Sequence, residues 1–136
     1  MNSIEQTLSI IKPDAVERSL EDQIKEDFKN KGFKIVKEKK IKIEKSEAEK
    51  FYKVHETKPF YSDLCNYLSS GPIIAMILEK ENAIHDNRKL MGATNPKEAD
   101  EGTIRKKYGI SIDKNSVHGS DSIENAKIEI DFFFKD

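Results

Sequence analysis

Six consecutive apolar residues, Ile73 to Leu78, stand between Gly71-Pro72 and the charged Glu79-Lys80-Glu81. A run that short, bounded by turn formers and with no polar face to show water, reads as a central strand covered on both faces. The rest of the chain must supply the cover. Gln6 to Lys12 carries Leu8, Ile10 and Ile11 and halts at Pro13-Asp14, which makes a second strand. Leu20, Ile24 and Phe28 recur every four residues as one buried helical stripe, ended by Asn30-Lys31-Gly32. Between Phe33 and Glu44, Ile41 and Ile43 alternate with lysines as on a half-exposed strand. Ser46, with Glu49 three residues on, has capping-box spacing for a helix reaching about His55. After Pro59, the residues Phe60, Leu64, Tyr67 and Leu68 form another stripe.

Asn82 to Met91 reads as a helix closed by Gly92. From Ala93 to Lys114 the regularity fades, and a stretch of that length needs a functional reason to stay irregular. Ser116-Val117-His118 is a short strand candidate. Asp121, with Glu124, caps a last helix that lines up Ile123, Ala126, Ile130 and Phe133. The order β-α-β-α-α-β-α-loop-β-α suits an α+β fold of the ferredoxin-like βαββαβ kind. That fold is a four-stranded antiparallel sheet with helices packed on one face, and it fits better than a flavodoxin-like parallel sheet. No repeat or linker divides residues 1–136, so a single domain is expected.

Composition removes several function classes. The net charge is -1, the pI about 6.3 and the mean hydropathy -0.71. No apolar run approaches the roughly 20 residues of a membrane span. A dedicated nucleic-acid binder carries a basic surplus, whereas the lysines here are interleaved with acids, as in Lys37-Glu38-Lys39-Lys40. The first residues lack signal-peptide features and Cys65 has no second cysteine to pair with, so a cytoplasmic protein is expected. There is no P-loop, no G-x-G-x-x-G and no zinc-spaced Cys/His cluster.

The informative stretch is Asn115-Ser116-Val117-His118-Gly119-Ser120-Asp121. An imidazole delivered by a strand to a turn, with glycine beside it for close backbone approach, can serve as a nucleophile near neutral pH. A lone histidine is more often structural or simply exposed, and His55 and His85 are read that way. The only arginines are Arg18, Arg88 and Arg105. Against a lysine-rich background they are candidates for the planar fork that suits phosphate.

Here a resemblance becomes specific. N-x-x-H-G-S-D resembles the active-site signature of the nucleoside diphosphate kinase family. Thr7 to Asp14, Lys58-Pro59-Phe60-Tyr61, Ser70-Gly71-Pro72, Met91 to Pro96 and Gly102-Thr103-Ile104-Arg105 are similar to that family in the same order. The resemblance covers nearly the whole chain. It implies phosphoryl transfer from a nucleoside triphosphate to a nucleoside diphosphate through a phosphohistidine on His118. Glu129 would then orient the ring, with Ser120 in support. Arg88, Thr94 and Arg105 would hold phosphates, and Lys12 and Tyr52 would stand near the reacting group. Lys12 and Asn115 would reach the sugar. Phe60 would stack on the base beside Leu64 and Ile112, which accepts purines and pyrimidines alike. Mg2+ would be held mainly by nucleotide phosphates, and a homo-oligomer is implied, a hexamer ahead of a tetramer. Two other classes compete: a binding or regulatory module on the same scaffold, and a nucleic-acid binder acting through the lysines.

Overall fold

The apolar run lies in β3 (Ile73–Glu81), which pairs antiparallel with β1 (Ile4–Ile11) on one side and β2 (Lys34–Ile41) on the other. β1 pairs in turn with β4 (Val117–Gly119), again antiparallel, so the order across the sheet is β2-β3-β1-β4. That order is the ferredoxin-like α+β arrangement. The computed structural model describes residues 4–53, 56–111 and 114–134. His55 and Ile112 lie outside them.

The helices are α1 (Pro13–Glu17), α2 (Glu21–Asn30), α3 (Lys45–Phe51), α4 (Tyr61–Leu68), α5 (Ala83–Met91), α6 (Ile104–Tyr108) and α7 (Ile123–Phe134). Alternation along β3 shows how they are distributed. Ile74, Met76 and Leu78 join a core with Ala15, Ile24 and Phe28, whereas Ile73 and Ala75 join another with Ala48, Leu68 and Phe133. Helices therefore cover both faces of the sheet, not one face as the element order suggested. The uninterrupted apolar run already required this, because a strand with no polar side has no face to give to water. β2 is the contrast: an edge strand, mostly exposed, with its register shifted between Ile35 and Lys37.

Helix ends differ from expectation in instructive ways. The capping box of α3 uses Glu44 and Glu47, two residues before the Ser46–Glu49 pair. The carboxylate of Glu44 does the work expected of the serine, because its backbone is extended where the helix begins. For α7 the cap falls one residue past Asp121: Ser122 Oγ accepts from the Asn125 N–H at 3.0 Å. Ile123 opens that helix and is 53 % exposed, outside the stripe formed by Ala126, Ile130 and Phe133. Pro13 does more than stop β1; it opens α1, where its missing N–H costs nothing. The irregular Ala93–Lys114 stretch contains a 3-10 turn over Pro96–Glu98 and the short α6, capped by Thr103. Among the described residues no helix is long and apolar enough to cross a membrane.

Candidate active site

His118 sits on β4 opposite Ile10 of β1. Cross-strand partners share a face, so its ring turns toward the core that contains Ile10 and Phe133. There Nε2 lies 3.0 Å from Oε1 of Glu129 on α7, and Ser120 Oγ donates to the same oxygen at 2.8 Å. The Leu8 N–H donates to Ser120 Oγ at 3.3 Å, and the Ser120 N–H donates to the Leu8 carbonyl at 3.1 Å. An ionised carboxylate can only accept, so the ring proton belongs on Nε2 and the lone pair is left on Nδ1. Edge-on rings confine the imidazole, with Phe51 at 5.2 Å and Tyr52 at 6.3 Å between centroids. The side chain keeps 20 % of its surface open.

Tyr52 follows α3 and is almost wholly buried. Burial first, and then the negative charge of Glu129, pushes its phenol above the ordinary tyrosine range, so it is a neutral donor at physiological pH. Burial, with Arg88 second, pulls the Arg105 guanidinium down to about 10, which leaves it cationic at neutral pH. Its Nη1 donates to the Gly92 carbonyl and its Nη2 to the Val117 carbonyl, both at 3.0 Å. Arg105 thus clamps the backbone next to His118, while its Nε is buried without a partner. Arg88, Thr94 and Arg105 share a cavity of about 660 Å³ that also meets His85 and Asp121. His118, Phe60 and Leu64 do not line it.

The sequence candidates Lys12, Asn115 and Thr94 are joined directly. Lys12 Nζ donates to Asn115 Oδ1 at 3.0 Å, and Asn115 Nδ2 donates to the Thr94 carbonyl at 3.2 Å. Lys12 and Asn115 are both nearly buried, an unusual condition for a lysine and one that marks a built site over a surface charge. Phe60 precedes α4 and is 45 % exposed, with the Lys58 ammonium 5.7 Å from its ring. Leu64 lies one turn on, half-buried against the second core. His85 is exposed on α5.

Gly119 explains how β4 and α5 come so close. A Cβ there would lie 2.3 Å from Asn87 Nδ2 and 2.8 Å from Met91 Cε, so any side chain would have to push these two away from the strand that carries His118. Several participants were not evident in the sequence. Phe51 packs on His118, Tyr52, Phe132 and Phe133, and its only signal was adjacency to Tyr52. Asp14 and Ser116 form a buried polar pair beneath Asn115; the i, i+4 spacing of Asp14 and Arg18 was the signal available. The arrangement can present the Nδ1 lone pair of His118 to an electrophile, with the Tyr52 phenol at its flank and the Arg105 guanidinium fixing the neighbouring backbone.

Among the described residues no group of three or more His, Cys, Asp or Glu side chains is placed to hold a metal ion. A family profile described as nucleoside diphosphate kinase matches residues 5–136. A nucleoside diphosphate kinase of Persephonella marina is 57% identical over 132 residues, spanning 97% of this chain and 94% of the relative. One from Campylobacter jejuni is 55% identical, spanning 97% and 96%. The crystal structure of the Aquifex aeolicus nucleoside diphosphate kinase superposes with a TM-score of 0.96 at 39% identity, covering 98% of this chain and 96% of the other. That of Encephalitozoon cuniculi gives 0.94 at 39% identity, covering 97% and 90%.

Proposed function

The chain belongs to the nucleoside diphosphate kinase family, and from that premise we propose that His118 is the residue on which it carries phosphate between nucleotides. The reaction itself moves the γ-phosphoryl group of a nucleoside triphosphate to a nucleoside diphosphate in two half-steps through a phosphohistidine. The observation that carries the assignment is the Leu8–Ser120–Glu129–His118 chain of hydrogen bonds. It holds the proton on Nε2 and aims Nδ1.

In the first half-step the Nδ1 lone pair forms a bond to the γ-phosphorus as the bond to the bridging oxygen breaks. The electron pair leaves on the β-phosphate of the departing diphosphate. The N-phosphorylated ring is cationic with Nε2 still protonated, and the Glu129 carboxylate balances it at 3.0 Å. The second half-step is the reverse, with the terminal oxygen of another diphosphate as nucleophile. A phosphoryl group in flight spreads charge over its equatorial oxygens, so Arg88, Arg105 and Tyr52 act as fixed donors. Lys12 and Asn115 meet the sugar, and Thr94 the phosphates.

Phe60 offers a flat apolar face to the base together with Leu64, and the sequence position of Ile112 adds a further apolar contact. No edge-reading hydrogen bond is needed, and purines and pyrimidines are accepted alike. Mg2+ would be held mainly by the nucleotide phosphates and water, and would neutralise charge on the nucleotide. We further propose that residues 1–136 work as one domain in a cytoplasmic homo-oligomer, a hexamer ahead of a tetramer.

The test is incubation with ATP and Mg2+ alone. Wild type accumulates acid-labile, base-stable phosphate on the protein and forms ADP without an acceptor; His118→Gln does neither. Labelling that survived in His118→Gln would remove His118 from the role.

A further inference from the structure

Beneath Asn115 lies a polar cluster that the reaction as described does not use. Asp14, on α1, is 4% exposed and Ser116 is fully buried. The Asp14 carboxylate accepts from Ser116 Oγ at 2.9 Å, from Arg18 Nη2 at 2.9 Å and from the Tyr67 hydroxyl. The Asp14 N–H donates to the Tyr67 oxygen at 2.8 Å, so α1 and α4 are joined at the same point. Arg18 also donates to Ser116 Oγ at 3.2 Å and to the Tyr108 carbonyl. Burial, and then the hydrogen bond to Asp14, pushes the Tyr67 phenol above its ordinary range, consistent with a hydroxyl that donates to a carboxylate.

Ser116 is what this cluster holds. Its φ is +75°, in the left-handed region that a side chain disfavours, and the Val117 N–H reaches the Asn115 carbonyl at 2.9 Å. A hydrogen bond across one residue of that φ is a γ-turn of the rare, strained hand. Such a turn persists only where its surroundings over-determine it, and here the Lys12 N–H also binds the Ser116 carbonyl at 2.8 Å. The turn separates Asn115 from His118. Its two arms are the sugar contact and the nucleophile.

We propose that Asp14 is a positioning residue for phosphoryl transfer, holding the Asn115-Ser116-Val117 turn in its strained form so that Asn115 and Lys12 meet the sugar hydroxyls while His118 faces the phosphate. The proposal rests on the sugar role given above to Lys12 and Asn115. Asp14 touches neither substrate nor reacting atoms and acts through Ser116.

The experiment measures kcat/KM of the full chain for a ribonucleoside triphosphate and for its 2′,3′-dideoxy counterpart. In Asp14→Asn the first value falls about tenfold or more and the second far less, so the preference for sugar hydroxyls collapses. Tyr67→Phe moves the ratio in the same direction by a smaller factor, and it carries the test alone if Asp14→Asn does not fold. Asn115→Ala is the reference. If it leaves the ratio unchanged, the sugar assignment is wrong and the proposal falls with it. If Asn115→Ala collapses the ratio but Asp14→Asn and Tyr67→Phe lower both substrates equally, Asp14 is ordinary scaffold and the proposal alone is overturned.

Discussion

The two ends of the candidate nucleotide site are built differently. Around His118, both oxygen and nitrogen partners are fixed by a sheet register, a helix carboxylate and a serine, with aromatic rings on the flanks. Around Phe60, by contrast, a half-exposed ring stands at the start of an α-helix with one ammonium above it. Chemistry that must place a lone pair in line with a breaking bond needs the first kind of construction. Recognition of any flat heterocycle needs only the second.

This contrast can be broken or sharpened by substitution. The largest effect is expected at Arg105. Arg105→Ala removes both the clamp on the Gly92 and Val117 carbonyls and the charge proposed to meet the phosphate. Loss of a preorganised donor of this type costs on the order of 100- to 1,000-fold in kcat. Steady-state transfer from ATP to a second diphosphate measures it, and a loss under tenfold would mean the guanidinium is only a backbone strut.

Glu129→Gln comes next. The amide keeps the shape and can still accept from Nε2, but it no longer balances the cationic phosphohistidine. A hydrogen bond to a charged group is worth about 1.5–3 kcal/mol, which translates to roughly 10- to 100-fold in the rate of protein phosphorylation. Rapid-quench measurement of the first half-step separates this from nucleotide binding. An unchanged quench trace in Glu129→Gln would show that the ring is aimed by packing instead.

The smallest effect belongs to the base platform. Phe60→Ala loses stacking worth about 1 kcal/mol at a half-open site, the lower end of base–aromatic contacts, and so raises KM roughly fivefold with kcat nearly unchanged. The shift should be similar for purine and pyrimidine substrates. A large fall in kcat, or an effect confined to one base class, would erase the distinction between the two ends.

Most of this construction was legible in the sequence, for reasons that differ by residue. The sheet could be read because Ile73–Leu78 leaves one burial option, and the family because a whole heptapeptide and several separated segments agree with it. Caps were misplaced by one or two residues, too late at α3 and too early at α7. Side chains of similar capacity, Glu44 beside Ser46 and Ser122 beside Asp121, compete for each end, and backbone geometry chooses between them. α6 was invisible because Ile104-Arg105-Lys106-Lys107-Tyr108 is too short and too charged to show a stripe. The roles of Asp14, Ser116 and Phe51 depend on neighbours far along the chain, and no local pattern reports those.

β4 borders the sheet, and the residues converging on it come from opposite sides. His118 leans on the packing shared by Ile10, Tyr52 and Phe133, while Arg88 rides on a helix whose Ala83 and Met91 belong with Ile11, Phe28 and Leu78. Loosening either hydrophobic layer therefore displaces one of these two side chains relative to the other. Turnover should fade before the secondary structure melts, which makes catalytic rate a more sensitive thermometer of this molecule than its circular dichroism.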